Sequence, residues 1–183
     1  MTWSFKSHER KGRYVNLILK SVDIGFGWTD DPELLCKKLI LQHKWSSKLY
    51  NTGEWVFPIS PSNEHLFRPL FKLIQETVED FYPKIEVVDR TAWVYVSNAQ
   101  RNQMTYHNHS DVERDISTVF YMKKPADGGI SFVEYEHNPS EGELIIFPAN
   151  ATHMPLATTS EEYRIAINVN LITSNKYLDF LPR

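Results

Sequence analysis

Cysteine is almost missing from this chain: Cys36 is the single one in 183 residues. No internal disulfide can form, and a reducing, cytoplasmic setting is the expectation. Long apolar runs are missing too. None reaches the roughly 20 residues needed to cross a bilayer, and no signal-like segment opens the sequence. There is no basic excess, since 20 Lys and Arg face 23 Asp and Glu for a net charge of -3. That balance argues against a surface built to coat nucleic acid or bind a membrane. Internal repeats and low-complexity linkers are also absent, and the length suits one core. A single domain spanning 1–183 is expected.

Coarse organisation follows from periodicity. Residues 1–12 are polar and basic, and 14–19 (YVNLIL) read as a first strand. Asp30, Asp31 and Pro32 signal a helix start, with Leu34, Leu35, Leu39 and Ile40 at helical spacing after it. Cys36 sits inside that helix as a small buried hydrophobe. After a Trp/Gly/Pro-rich loop at 44–60, a second helix is predicted over about 61–81. Leu66, Leu70, Leu73, Ile74, Val78 and Phe81 line its buried face, and Pro69 is accommodated if the helix starts near Phe67 or bends there. From residue 84 the pattern changes to strands, at 85–89, 92–97, 116–122, 130–136, 144–147 and 164–172, with a charged loop at 111–114. Short strands separated by turn signals indicate a barrel or sandwich. The fold class expected is α+β, with helical support over about 30–82 and a jelly-roll core over about 84–173.

Two stretches carry chemistry. The run QMTYHNHSDVERDISTVFYM, residues 103–122, places His107, His109 and Asp111 at alternate positions, so an extended backbone projects all three from one face. The run EGELIIFPANATHMPLATTSEEYRIAINVN, residues 141–170, adds His153 in a loop and Arg164 at the start of a strand that alternates through Ala166, Asn168 and Asn170. Two imidazoles and one carboxylate suit non-haem iron with open coordination positions. An arginine nearby can clamp a carboxylate through a bidentate fork. His8, His43, His65 and His137 have no acidic or histidine partner at strand spacing and read as surface or satisfied core residues.

These pieces are His109-Ser110-Asp111, the strand 116–122, the turn Gly128-Gly129, the strand 142–148, His153 and Arg164-Ile165-Ala166. Together, in this order, they resemble the double-stranded β-helix core of the Fe(II)/2-oxoglutarate-dependent oxygenases. The wording is most similar to small prolyl-hydroxylase-like oxygenases of bacteria and of phages of marine bacteria, and it covers about the last half of the chain. The resemblance implies iron(II) on His109, Asp111 and His153. It implies 2-oxoglutarate held by Arg164, with Tyr121 as a second contact to the same carboxylate, and oxygen as co-substrate, with ascorbate as a reductant. It also implies hydroxylation of a C–H bond on a protein or peptide side chain, with release of succinate and CO2. The carboxylate of Asp111 argues against a halogenase.

Alternatives stay open at this point. His107 with His109 and His153 would make a three-histidine site, with Asp111 left beside the metal. The substrate could be a free small molecule such as an amino acid. A cupin-like metal protein that does not use 2-oxoglutarate would leave Arg164 without a role, and a binding module on the same fold would require a broken ligand set. Asn168 and Asn170 share the face of Arg164 without an assigned task. The loops at 25–31, 44–60 and 98–105 are candidates for substrate selection.

Overall fold

The computed structural model describes residues 3–10, 13–21, 55–83, 85–100, 105–110, 115–133 and 135–174. The helix expected after Pro32, with Cys36 and His43, lies outside the described residues. So do Asp111, the charged loop at 111–114, and most of the 25–31 and 44–60 loops.

Two antiparallel sheets make up the architecture. The larger has the order β1 (Trp3–Arg10), β2 (Arg13–Ser21), β8 (Glu143–Pro148), β5 (Ile116–Lys123), β10 (Arg164–Thr173), β4 (Val87–Ser97), β3 (Trp55–Pro58). The smaller has the order β7 (Tyr135–His137), β6 (Ile130–Phe132), β9 (Met154–Pro155). An isolated antiparallel bridge pairs His107 with His153, the residue just before β9. One helix, α1 (Arg68–Phe81), is found among the described residues, preceded by a 3-10 turn at Glu64–Leu66. Architecture among the described residues is therefore mainly β. None of the helices there is long and apolar enough to cross a membrane.

The central strands carry apolar residues on both faces because the large sheet is covered on both sides. Ile165, Ile167, Val169 and Leu171 of β10 join Phe120 and Met122 of β5 and Leu144 and Ile146 of β8 against α1. Ala166, Val119, Tyr121, Ile145 and Phe147 point the other way, towards Ile130 and Phe132 of the small sheet. Helix α1 contributes Leu70, Phe71, Ile74 and Val78, all buried, each adding about 1.5 to 3 kcal/mol of burial. Pro69 falls in its first turn, where the missing N–H has no intrahelical partner to lose, so the helix begins at Arg68 instead of bending.

Three differences from the sequence reading have local causes. The two strands expected at 85–89 and 92–97 are one strand, β4, in register with β10 from Asp89 to Ser97, with a register shift at Val88. The single strand expected at 130–136 is a hairpin, β6–β7, with Val133 at φ 62 in its turn. Strands β1, β3 and β9 were not anticipated, since β1 is polar and β3 and β9 each contain a proline.

Candidate metal centre

His107 and His153 face each other through reciprocal backbone hydrogen bonds of 2.9 Å, and His109 follows two residues along. Ring centroids lie 5.0 Å apart for His107–His109, 4.5 Å for His107–His153 and 4.9 Å for His109–His153. One nitrogen from each ring falls within 4.8 Å of the others, a spacing able to hold a metal ion.

Two of the rings are locked in a useful tautomer. Nδ1 of His107 lies 2.9 Å from the Thr105 carbonyl, and Nδ1 of His153 lies 2.9 Å from the Ala151 carbonyl. A carbonyl only accepts, so each Nδ1 carries the proton and each Nε2 presents a lone pair. Burial pushes the pKa of His153 down to about 3 and that of His109, with His107 beside it, down to about 4. His109 and His153 are thus neutral at physiological pH, the form that ligates metal.

His109 is held from its backbone. The carbonyl of Ala149 accepts from the N–H groups of both His109 (2.9 Å) and Ser110 (3.3 Å). Ser110 Oγ donates to the buried Asp115 carboxylate at 2.8 Å, which also accepts the Thr173 N–H at 3.2 Å. The Trp93 ring closes one side of His109 at 5.2 Å, edge to face.

A cavity of about 210 Å³ opens beside the three imidazoles, with Trp93, Tyr121, Arg164 and Asn168 also in its wall. Arg164 is 1% exposed, so the surface pairing with Glu161 or Glu162 that its neighbours suggest does not occur. Its Nε donates to Ser97 Oγ at 3.0 Å, and its Nη1 to the carbonyls of Leu156 at 2.5 Å and Gly129 at 3.5 Å. Nη2 is buried and has no hydrogen-bond partner among the described residues. The fork is therefore not free for two-point binding through Nε or Nη1, and a carboxylate meets the Nη2 end alone. An orphaned buried cationic nitrogen is costly unless something anionic completes it.

The Gly128-Gly129 turn makes room for this arrangement. A Cβ on Gly128, at φ +78, would sit 3.1 Å from Arg164 Nη1, and one on Gly129 would sit 2.3 Å from the His137 carbonyl. Asp127 ties the turn to the strand-free segment after Pro155 by accepting from Thr158 Oγ1 (2.5 Å), Thr159 N–H (2.7 Å) and Thr159 Oγ1 (2.6 Å). Tyr121 is buried in the same wall, and burial raises its pKa so that the phenol stays protonated and can donate.

Of the residues singled out by sequence, His107, His109, His153, Arg164, Tyr121 and Asn168 border one cavity. Asn170 is instead tied to Ser117 Oγ at 2.9 Å. His137 is a satisfied residue, 2.5 Å from Glu143 Oε1. Sequence reasoning missed Trp93, Ser97, Ser110 and Asp115. Only Trp93 left a trace, by alternating with Tyr95 on one strand face. A larger hollow of about 440 Å³ lies on the α1 side of the sheet, against Phe71, Ile74 and Val169, and no imidazole among the described residues lines it.

No family model and no curated protein sequence matches the chain. Solved structures do. A prolyl-4-hydroxylase from Pseudomonas putida superposes with a TM-score of 0.61 at 13% identity, over 87% of this chain and 93% of its own. A prolyl hydroxylase from Trichoplax adhaerens, in complex with a hypoxia inducible factor oxygen degradation domain peptide fragment, gives 0.61 at 10% identity over 85% and 83%. HygX from Streptomyces hygroscopicus, with nickel and 2-oxoglutarate bound, gives 0.58 at 9% identity over 86% and 83%. The chain shares the fold of these structures.

Proposed function

We propose that the chain is an iron(II)- and 2-oxoglutarate-dependent dioxygenase of the prolyl-hydroxylase type, built as one domain on a double-stranded β-helix. The observation that carries this reading is the pairing, in one cavity, of three metal-competent imidazoles with a buried guanidinium nitrogen that has no partner among the described residues. Imidazole ligands bring no negative charge, so three of them leave the full charge of a divalent ion uncompensated, and Arg164 adds one more positive charge. A dicarboxylate supplies the missing negative charge and a group for Nη2. The residues thus fit both the metal and the keto-acid.

His109 and His153 hold the metal in either ligand set considered from sequence. The third position falls to Asp111 in the set that the resemblance implies and to His107 in the three-histidine set, and His107 has its Nε2 presented by the Thr105 carbonyl. Asp111, the carboxylate of the competing set, follows Ser110 in the sequence and lies outside the described residues. When bound, iron(II) supplies oxygen activation, coupling decarboxylation of 2-oxoglutarate to succinate and CO2 with hydroxylation of a substrate C–H bond.

The chain's own share is positioning. Thr105 and Ala151 fix the imidazole tautomers, Ser97 and Leu156 fix the guanidinium, and Tyr121 stands by as a neutral donor to the same carboxylate. Phe132, Phe147 and Trp93 pack against the histidines and keep water from their inner faces. A protein or peptide side chain is the preferred substrate. The peptide complex of the Trichoplax structure supports this, as does the exposed Thr105 and Tyr106 rim beside His107.

Incubation with iron(II), ascorbate, oxygen and labelled 2-oxoglutarate, with and without a peptide library, tests the reaction. Labelled succinate that disappears in His153→Ala is the expected outcome. Iron content in His107→Ala and Asp111→Asn decides the third ligand, because only replacement of a true ligand removes stoichiometric metal.

A further inference from the structure

Asn168 is an odd residue for its place. It sits in the middle of β10, the strand paired on both sides, between the buried Ile167 and Val169. Asparagine is depleted at such positions, where β-branched apolar side chains pack best. Its neighbour on the same face, Asn170, has its amide engaged by Ser117. Asn168 has no such anchor among the described residues, and it lines the cavity that holds the three imidazoles and Arg164.

Register places it near the metal end of that cavity. It is opposite Trp93 on β4 and Val119 on β5, and directly opposed residues on one sheet face have Cβ atoms roughly 5 Å apart. The Trp93 ring in turn touches the His109 ring. Arg164 lies four residues back along the same strand, roughly 13 Å at the usual rise per residue. An arginine side chain and a short diacid laid end to end span that distance.

We infer that the Asn168 carboxamide is a positioning contact for the acid in this cavity. Its NH2 donates to the carboxylate at the end nearest the imidazoles, while Arg164 Nη2 takes the far one. This rests on the proposed co-substrate and adds the residue that fixes which way round the acid lies. A neutral amide suits the task because it donates without adding charge next to a divalent ion.

Calorimetric titration of 2-oxoglutarate into the manganese-loaded full chain tests it, with Asn168→Val and Asn168→Thr as a matched pair. Both are β-branched and suit a central strand, and they differ in a methyl against a hydroxyl donor. Valine is expected to weaken 2-oxoglutarate binding about tenfold, as the loss of one hydrogen bond to a charged group does, and threonine to recover most of that. Asn168→Asp, which sets a negative charge against the acid, should be weaker than valine, while manganese affinity measured alone stays at the parent value for Val and Thr. Equal 2-oxoglutarate affinity in parent, Val and Thr chains overturns the inference and leaves the proposed function standing. If the manganese-loaded parent takes no 2-oxoglutarate, the proposed function falls, and this inference with it.

Discussion

An imidazole ligates metal only when unprotonated, so the burial of His109 and His153 has a consequence that can be titrated. Both have folded pKa values below the ordinary 6.5, near 4 and near 3. Between these values and 6.5 the unfolded chain binds protons that the folded chain does not. Stability from these groups is therefore present above pH 6.5 and is lost as the pH falls towards 4 and 3. The metal-free chain should show a urea midpoint that drops steadily from pH 7 to pH 5, with a shallower drop in His153→Ala. An unchanged slope in that variant would show that His153 titrates normally. At this scale the sequence was informative about side chains and silent about the main chain. Alternation revealed His107 and His109, and position revealed His153 and Arg164. The carbonyls of Thr105, Ala151 and Leu156 carry no residue identity, so the tautomers and the engaged fork of Arg164 could not be read in advance.

At the scale of elements, the loop bearing His107 and His109 belongs to no strand of either sheet, yet it is pinned between Ala149 at the end of β8 and Asp115 at the start of β5. Removing an outer hydrogen bond of this kind typically lowers metal affinity by 10- to 100-fold. Ser110→Ala is expected to weaken cobalt(II) binding by about tenfold with little change in melting temperature, and Ser110→Thr to restore it. Equal cobalt affinity in parent and Ser110→Ala would mean the backbone bonds to Ala149 suffice. Helix α1 makes a separate contribution. Ile74 is fully buried against the sheet, and Ile74→Ala should cost about 3 kcal/mol in a denaturant titration while leaving cobalt affinity intact.

The elements that could be read were those whose burial is two-sided or strongly periodic: β5, β8, β10 and α1. Strand β1 is a polar sequence made into a strand by pairing with β2, and β9 is two residues long. Such segments take their structure from partners distant in sequence, which local patterns do not encode.

For the whole molecule, two packed sheets bring together residues up to 112 positions apart, from Val56 to Asn168, around one cavity. A shared fold hosts many chemistries, so the chemistry rests on the side chains of the cavity. The central claim is that metal and dicarboxylate occupy that cavity together, one end on the imidazoles and the other on Arg164. Calorimetry of 2-oxoglutarate binding, with and without manganese, tests it most directly in the parent chain and in Arg164→Ala. Losing a buried charge-assisted contact costs about 2 to 5 kcal/mol. The account predicts one site per chain, dependent on manganese and weakened by roughly thirtyfold or more in the variant. Binding of 2-oxoglutarate that ignores the metal, or that is as tight in Arg164→Ala as in the parent, would contradict it.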